Sequence, residues 1–139
     1  RSHPGGALGR RLLTHVRDVM RHGQALPIVQ ARAAIQEALE EMSRKGMGMT
    51  IVVNSNDEPI GIFTDGDLRR LISKVGDIRQ LRVSDGMSLD PRSVTADALA
   101  VEAASLMESN KQSQVVVVNK EGKLIGALHM HDLMAAKVI

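Results

Sequence analysis

The chain contains no cysteine, no tryptophan and no tyrosine, and its single phenylalanine is Phe63. Without cysteine it has neither a disulfide framework nor a thiolate metal site, which agrees with a reducing compartment, and we expect a cytoplasmic location. Without large aromatic side chains the core must be aliphatic, and the eight methionines suit the filling of gaps in such a core. The 139 residues are enough for one domain or for two half-domains that fold together.

Long hydrophobic runs are also lacking. The longest aliphatic runs, such as residues 115–118, are too short to cross a bilayer, so we expect no membrane partner. The chain begins at Arg1 without a methionine and without an apolar leader, from which we expect a piece of a longer protein.

Neither sign of charge dominates, since 18 basic and 16 acidic residues give a formal net charge of +2. Much of the basic excess lies near the N-terminus. Proteins that bind single-stranded nucleic acid without sequence preference combine a basic groove with stacking aromatic side chains, and only Phe63 is present here. We therefore expect no nucleic-acid partner.

Catalytic motifs are absent as well. The sequence has no cysteine nucleophile, no glycine-rich phosphate loop of the nucleotide-hydrolase kind and no metalloprotease helix. His129, His131 and Asp132 lie close in sequence, but no further ligands cluster with them, so we predict no metal site. We expect this chain alone to be catalytically inactive and to require no cofactor.

An internal repeat organises the chain. Residues 16–20 (VRDVM) match residues 83–87 (VSDGM) at an offset of 67. Residues 60–68 (IGIFTDGDL) match residues 125–133 (IGALHMHDL) at an offset of 65. Since one loop differs in length by two residues, an insertion or deletion explains the change of offset.

We predict the fold class α/β (α+β), with two β-α-β-β-α repeats, and the apolar spacing in each repeat locates the last four of these elements. In the first repeat the spacing of apolar residues predicts a helix over 33–44, strands over 49–53 and 60–63, and a helix from about 67. In the second it predicts a helix over 97–109, strands over 115–118 and 124–128, and a helix over 132–137.

Neither half is long enough to bury a sufficient core alone. We therefore expect the two repeats to pack together about a pseudo-twofold axis. Their alanine-rich helices permit close approach of a second copy, which suggests a homodimer or a higher homo-oligomer.

The turn from Gly61 to Asp67 has two interpretations. In the structural one Thr64 is an N-cap and Asp67 completes a capping box. In the functional one the helix N-terminus and the Thr64 hydroxyl bind a phosphate, and a nearby carboxylate accepts hydrogen bonds from ribose hydroxyls. In the second repeat His129 replaces Thr64 and Asp132 corresponds to Asp67, so two equivalent sites are not assumed.

The matched segments 60–68 and 125–133, which both end in Asp-Leu, resemble motifs of the CBS domain family, and the resemblance covers residues 16–139. Domains of this family are regulatory modules for adenosine nucleotides and related ligands. The resemblance implies ligand-binding roles for Thr64 and Asp67 in a better-preserved site and for His129 and Asp132 in an altered one. The predicted boundaries are 16–80 for CBS repeat 1 and 81–139 for CBS repeat 2.

More specific sequence motifs occur at residues 2–13 (SHPGGALGRRLL), 61–70 (GIFTDGDLRR) and 128–133 (LHMHDL). Together they resemble the C-terminal part of bacterial D-arabinose 5-phosphate isomerases, which join a sugar-isomerase (SIS) domain to a CBS pair. These enzymes convert ribulose 5-phosphate to arabinose 5-phosphate on the route to the Kdo sugar of lipopolysaccharide. The resemblance makes residues 1–15 the linker and tail of the SIS domain and implies a catalytic role for His3 only with that domain.

The implied function is therefore a regulatory pair that binds AMP or ATP, as in the broad family, or the nucleotide sugar CMP-Kdo, and that contacts its own SIS domain. The alternative is a structural pair that binds no ligand and only organises the enzyme oligomer.

Overall fold

The computed structural model describes residues 6–139, which form a mixed α/β structure of two compact units. We call residues 23–91 with 122–124 the Asp67 unit, and residues 6–22 with 92–121 and 125–139 the Asp132 unit. The helices of the described part are α1 (Gly6–Leu13), α2 (Val16–Val19), α3 (Ile35–Lys45), α4 (Asp65–Val75), α5 (Ala100–Ser109) and α6 (Met130–Ala135). Its strands are β1 (Ile28–Gln30), β2 (Met49–Val53), β3 (Pro59–Thr64), β4 (Ser88–Leu89), β5 (Ser93–Thr95), β6 (Gln114–Val118) and β7 (Leu124–His129).

The Asp67 unit contains a four-stranded sheet in the order β1-β2-β3-β4. β1 runs parallel to β2, whereas β2 and β3 form an antiparallel pair in which Met49 lies opposite Thr64. The turn between them is held by the Asn54 side-chain oxygen, which accepts hydrogen bonds from the amides of Asn56 and Glu58. The hairpin therefore carries Thr64 to the end of β3, where α4 begins.

Helix α3 packs its apolar stripe on this sheet and ends at Gly46, whose φ of 69° is the left-handed conformation that suits glycine. Phe63 is fully buried at the centre of the same core. Because the core is otherwise aliphatic, packing of the unit depends on branched side chains. One buried cluster of the unit contains Val29, Ala33, Ile35, Ala38, Met42, Val52, Phe63, Leu71 and Val83.

The Asp132 unit contains a three-stranded sheet in the order β5-β6-β7, with β5 parallel to β6. Helix α5 packs against it through small residues. Its buried core contains Val16, Ala100, Ala103, Met107, Val115, Val117, Leu128, Leu133 and Val138. The order β5-α5-β6-β7-α6 repeats the order β1-α3-β2-β3-α4, so the predicted β-α-β-β-α repeats are confirmed.

The segment at the start of each sequence repeat lies in the unit formed mainly by the other repeat. We call residues 14–22 and 81–89 the entry segments. Val16 donates its amide to the carbonyl of Ala98 at 2.8 Å, and Val83 donates to that of Ala33 at 2.8 Å. The sequence repeats 16–80 and 81–139 therefore do not coincide with the compact units, because the entry segments are exchanged.

The helix limits differ from the predicted ones by a few residues. α4 begins at Asp65 and α6 at Met130, each two residues before its prediction, since Thr64 and His129 serve as N-caps. Helices α1 and α2 and the two-residue strand β4 were not predicted, and α2 and β4 are too short to show an apolar period. Within residues 6–139, no helix has both the length and the apolar character needed to span a bilayer.

Candidate functional site

Two strand-to-helix turns hold the residues that the sequence singles out. We call residues 64–67 the Asp67 turn and residues 129–132 the Asp132 turn. The Asp67 turn is a reciprocal capping box, because the Thr64 hydroxyl accepts from the Asp67 amide at 3.1 Å and the Thr64 amide donates to Asp67 Oδ2 at 2.9 Å. The structural interpretation of Thr64 as an N-cap is confirmed.

The Asp67 carboxylate is only 5% exposed and accepts hydrogen bonds from four donor groups. Oδ2 accepts from the amide and hydroxyl of Thr64, at 2.9 and 3.0 Å. Oδ1 accepts from Arg70 Nη2 at 2.7 Å and from Ser88 Oγ at 2.8 Å. The Arg70 side chain is 72% exposed, so this ion pair reaches in from the protein surface.

A cavity of 170 Å³ lies beside this carboxylate. It is lined by Asp67, Arg70, Leu71, Lys74, Asp85 and Gly86. Pockets for small molecules usually measure about 300–1,000 Å³, so this cavity has room for part of a nucleotide rather than all of it. A second cavity of 380 Å³, lined by Gln30, Arg32, Ala33, Ala34, Glu37 and Arg82, includes none of the predicted site residues.

The Asp132 turn keeps the backbone cap but changes the side-chain chemistry. The His129 amide donates to Asp132 Oδ2 at 2.9 Å, and His129 Nδ1 accepts from the His131 amide at 3.0 Å. Nδ1 is therefore an acceptor, which places the proton of the neutral ring on Nε2. Burial, and next the repulsion of nearby His131, lower the pKa of His129. The imidazole is thus held neutral and directed at its own helix.

Asp132 is paired with Arg21. Arg21 Nε lies 3.2 and 3.1 Å from the two carboxylate oxygens, and Nη2 lies 3.2 Å from Oδ1. The two side chains are only 28% and 19% exposed. A guanidinium that contacts both oxygens of a partly buried carboxylate makes a strong, oriented pair.

Arg21 and Ser88 occupy equivalent places in the two repeats, because they follow Met20 and Met87 at the same offset of 67. Arg21 exchanges two backbone hydrogen bonds with Ala127, and Ser88 lies opposite Ile62. Both therefore reach the aspartate from the entry segment. The predicted site residues do not include them, although Arg21 and Ser88 directly follow the matched segments 16–20 and 83–87.

Gly61 and Gly126, the second residues of the matched segments 60–68 and 125–133, permit this close approach. A Cβ on Gly61 would lie 2.9 Å from the Ser88 carbonyl oxygen, and one on Gly126 would lie 2.9 Å from that of Arg21. These distances are too short for a real Cβ, so a side chain at either position would push the entry segment away from the turn.

The structure thus brings Thr64 together with Asp67 and His129 together with Asp132. His3, the predicted catalytic residue of the complete enzyme, lies outside the described residues. Within residues 6–139, no three His, Asp or Glu side chains are grouped closely enough to hold a metal ion.

An arabinose 5-phosphate isomerase of Pseudomonas aeruginosa is 49% identical over 138 residues, which cover 99% of this chain and 42% of the relative. That of Escherichia coli K12 is 46% identical over the same extents. The chain therefore spans less than half the length of these curated relatives.

Among solved structures, CBSX2 in complex with AMP superposes with a TM-score of 0.74 at 29% identity, covering 88% of this chain and 95% of that one. The family model described as CBS domain matches residues 16–74 and 75–139. With both repeats matched, the chain belongs to the CBS domain family.

Proposed function

We propose that this chain is the regulatory CBS pair of an arabinose 5-phosphate isomerase and that it binds a nucleotide or a nucleotide sugar. The observation that carries the proposal is the Asp67 turn, where the Thr64 hydroxyl meets a carboxylate at a helix N-terminus and that carboxylate lines a cavity. The likeness to CBSX2 in complex with AMP supports it.

The Asp67 carboxylate can bind a ribose by accepting hydrogen bonds from its hydroxyls. Its Oδ1 accepts from one hydroxyl and from one exposed arginine, Ser88 and Arg70. We expect a ligand hydroxyl to take the place of the guanidinium at Oδ1, because the Arg70 end of the pair is 72% exposed although the carboxylate is only 5% exposed. Arg70 and Lys74 line the adjacent cavity, where their positive charge suits a phosphate.

The ligand is proposed at the level of ribose and phosphate, and AMP, ATP, CMP and CMP-Kdo all carry both groups. AMP follows from the solved relative, whereas CMP-Kdo would let an end product of the pathway act on an early enzyme. Isomerisation of ribulose 5-phosphate is proposed for the SIS domain joined to the pair, with His3 acting there and not in this chain alone. A homo-oligomer formed through the CBS helices stays a prediction.

Calorimetry with AMP, ATP, CMP and CMP-Kdo tests this proposal. We expect at least one of them to bind the wild-type chain and Thr64→Val to weaken that binding tenfold or more. Thr95→Val makes the same chemical change at an exposed strand end in the other unit, so it should leave binding unchanged. Equal affinities of the wild type and Thr64→Val would argue against the Asp67 turn as the site.

A structural pair without a ligand is the second candidate. It is favoured by the four donors that already surround the Asp67 carboxylate and by the capping role of Thr64. In that case none of the four compounds would give heat or raise the melting temperature. Removal of the pair from the complete enzyme would instead change its oligomeric state, as measured by light scattering.

A further inference from the structure

The aspartates of the two turns face different partners at one equivalent position. Ser88 presents a neutral hydroxyl to Oδ1 of Asp67 at 2.8 Å. Arg21 presents a guanidinium to both oxygens of Asp132, at 3.1 to 3.2 Å. Both residues reach the aspartate from equivalent backbone positions, Arg21 opposite Ala127 and Ser88 opposite Ile62, so the difference lies in the side chain.

This difference decides which carboxylate can accept a new donor. At Asp67 the single charged partner, Arg70, is 72% exposed and contacts one carboxylate oxygen, Oδ1, at 2.7 Å. At Asp132 the charged partner is 28% exposed, and its backbone is tied to Ala127 by hydrogen bonds of 2.8 and 3.0 Å. Displacing a bidentate guanidinium by two neutral ribose hydroxyls would exchange hydrogen bonds between opposite charges for hydrogen bonds in which only the acceptor is charged.

The residue at the cap strengthens the contrast. His129 directs Nδ1 at the amide of His131, and its ring lies 4.4 Å from that of His131. The position that holds a hydroxyl in the Asp67 turn is thus filled by a larger ring already engaged with its own helix.

We propose that Arg21 closes the Asp132 turn to ribose, so that each chain binds one nucleotide, at the Asp67 turn. Arg21 is then the residue that sets the number of sites in the pair. This inference rests on the proposed function, since it takes ribose binding at Asp67 as its starting point.

Calorimetric stoichiometry tests it, with AMP as the probe and the complete chain as the protein. We expect one AMP per wild-type chain. Arg21→Ser reproduces the residue found at position 88 and should give two. Adding Thr64→Val to Arg21→Ser should bring the number back to one, because the new site lies at Asp132.

Arg17→Ser is the matched control. Arg17 lies on the same entry segment and pairs with Asp97 at 2.8 Å, but the two side chains are 48% and 82% exposed. The substitution removes the same charge and should leave the stoichiometry at one. If Arg21→Ser lost its cooperative thermal transition, Arg21→Ala would supply the second measurement.

Two molecules of AMP on the wild-type chain would overturn the closure, as would one on a folded Arg21→Ser variant, and both results leave the proposed function intact. Absence of heat from the wild type and from Arg21→Ser alike, with each of AMP, ATP, CMP and CMP-Kdo, would overturn the proposed function instead.

Discussion

The Asp67 unit and the Asp132 unit solve one structural problem with different side chains. Each must begin a helix directly after a strand and place an aspartate at its third position. The Asp67 turn uses the hydroxyls of Thr64 and Ser88 with the exposed charge of Arg70, whereas the Asp132 turn uses the ring of His129 and the partly buried charge of Arg21. A shared backbone therefore does not make two equivalent sites, since the donors around each carboxylate decide what it can accept.

A second difference lies inside the sheets. Thr50 on β2 corresponds to Val115 on β6 at the offset of 65. Both are buried, at 0% and 3% exposure. Within residues 6–139, no hydrogen-bond partner lies within reach of the Thr50 hydroxyl. The first repeat thus carries a destabilising buried polar group where the second carries a methyl group.

The largest expected effect concerns the exchanged entry segments. Val16 and Val83 are equivalent and fully buried, each in the core of a different unit. Replacing either with alanine removes two buried methyl groups and should lower the free energy of unfolding by about 2–3 kcal/mol, as measured by urea denaturation.

Hydrogen exchange separates the two variants. Val16→Ala should accelerate exchange in α5 and β6 more than in α3 and β2, although Val16 belongs to the first sequence repeat. Val83→Ala should show the reverse pattern and serves as its matched control. Uniform acceleration in both variants would mean that the two units open together.

The sequence predicts much of this fold because both repeats carry local signals. Apolar runs mark β2 and β6, the spacing of apolar residues marks α3 and α5, and the cap at Thr64 follows from residue type. Those signals act within a few neighbouring positions. Element order and the capping interpretation could therefore be read before the structure.

The exchange of entry segments and the pairing at the Asp132 turn could not be read in this way. Arg21 and Asp132 are 111 positions apart, and their contact depends on the chain path between them. Strand β4 has two residues, too few for any period. Whether Thr64 and Asp67 bind a ligand stays a prediction, because the residues that cap the helix are also those that would bind.

The buried difference between Thr50 and Val115 gives a smaller expected effect. Thr50→Val makes the first repeat copy the second and should raise the free energy of unfolding by about 1 kcal/mol, since it removes an unpartnered hydroxyl without changing the shape. Val115→Thr should have the opposite sign. An unchanged or lower stability of Thr50→Val in urea denaturation would mean that the hydroxyl has a partner in solution.

The smallest expected effect distinguishes the two caps by pH. Burial and the neighbouring His131 lower the pKa of His129 below its ordinary value of 6.5, so below that pH the unfolded chain binds a proton more readily than the folded one. Stability should therefore fall as the pH drops from 7.5 to 5.5. His129→Asn keeps a good N-cap without a titrating group, so urea denaturation should show a smaller loss over the same range. Thr64→Asn, the matched change at the other cap, should leave the full wild-type loss, whereas an equal reduction in both variants would assign the pH dependence to groups other than His129.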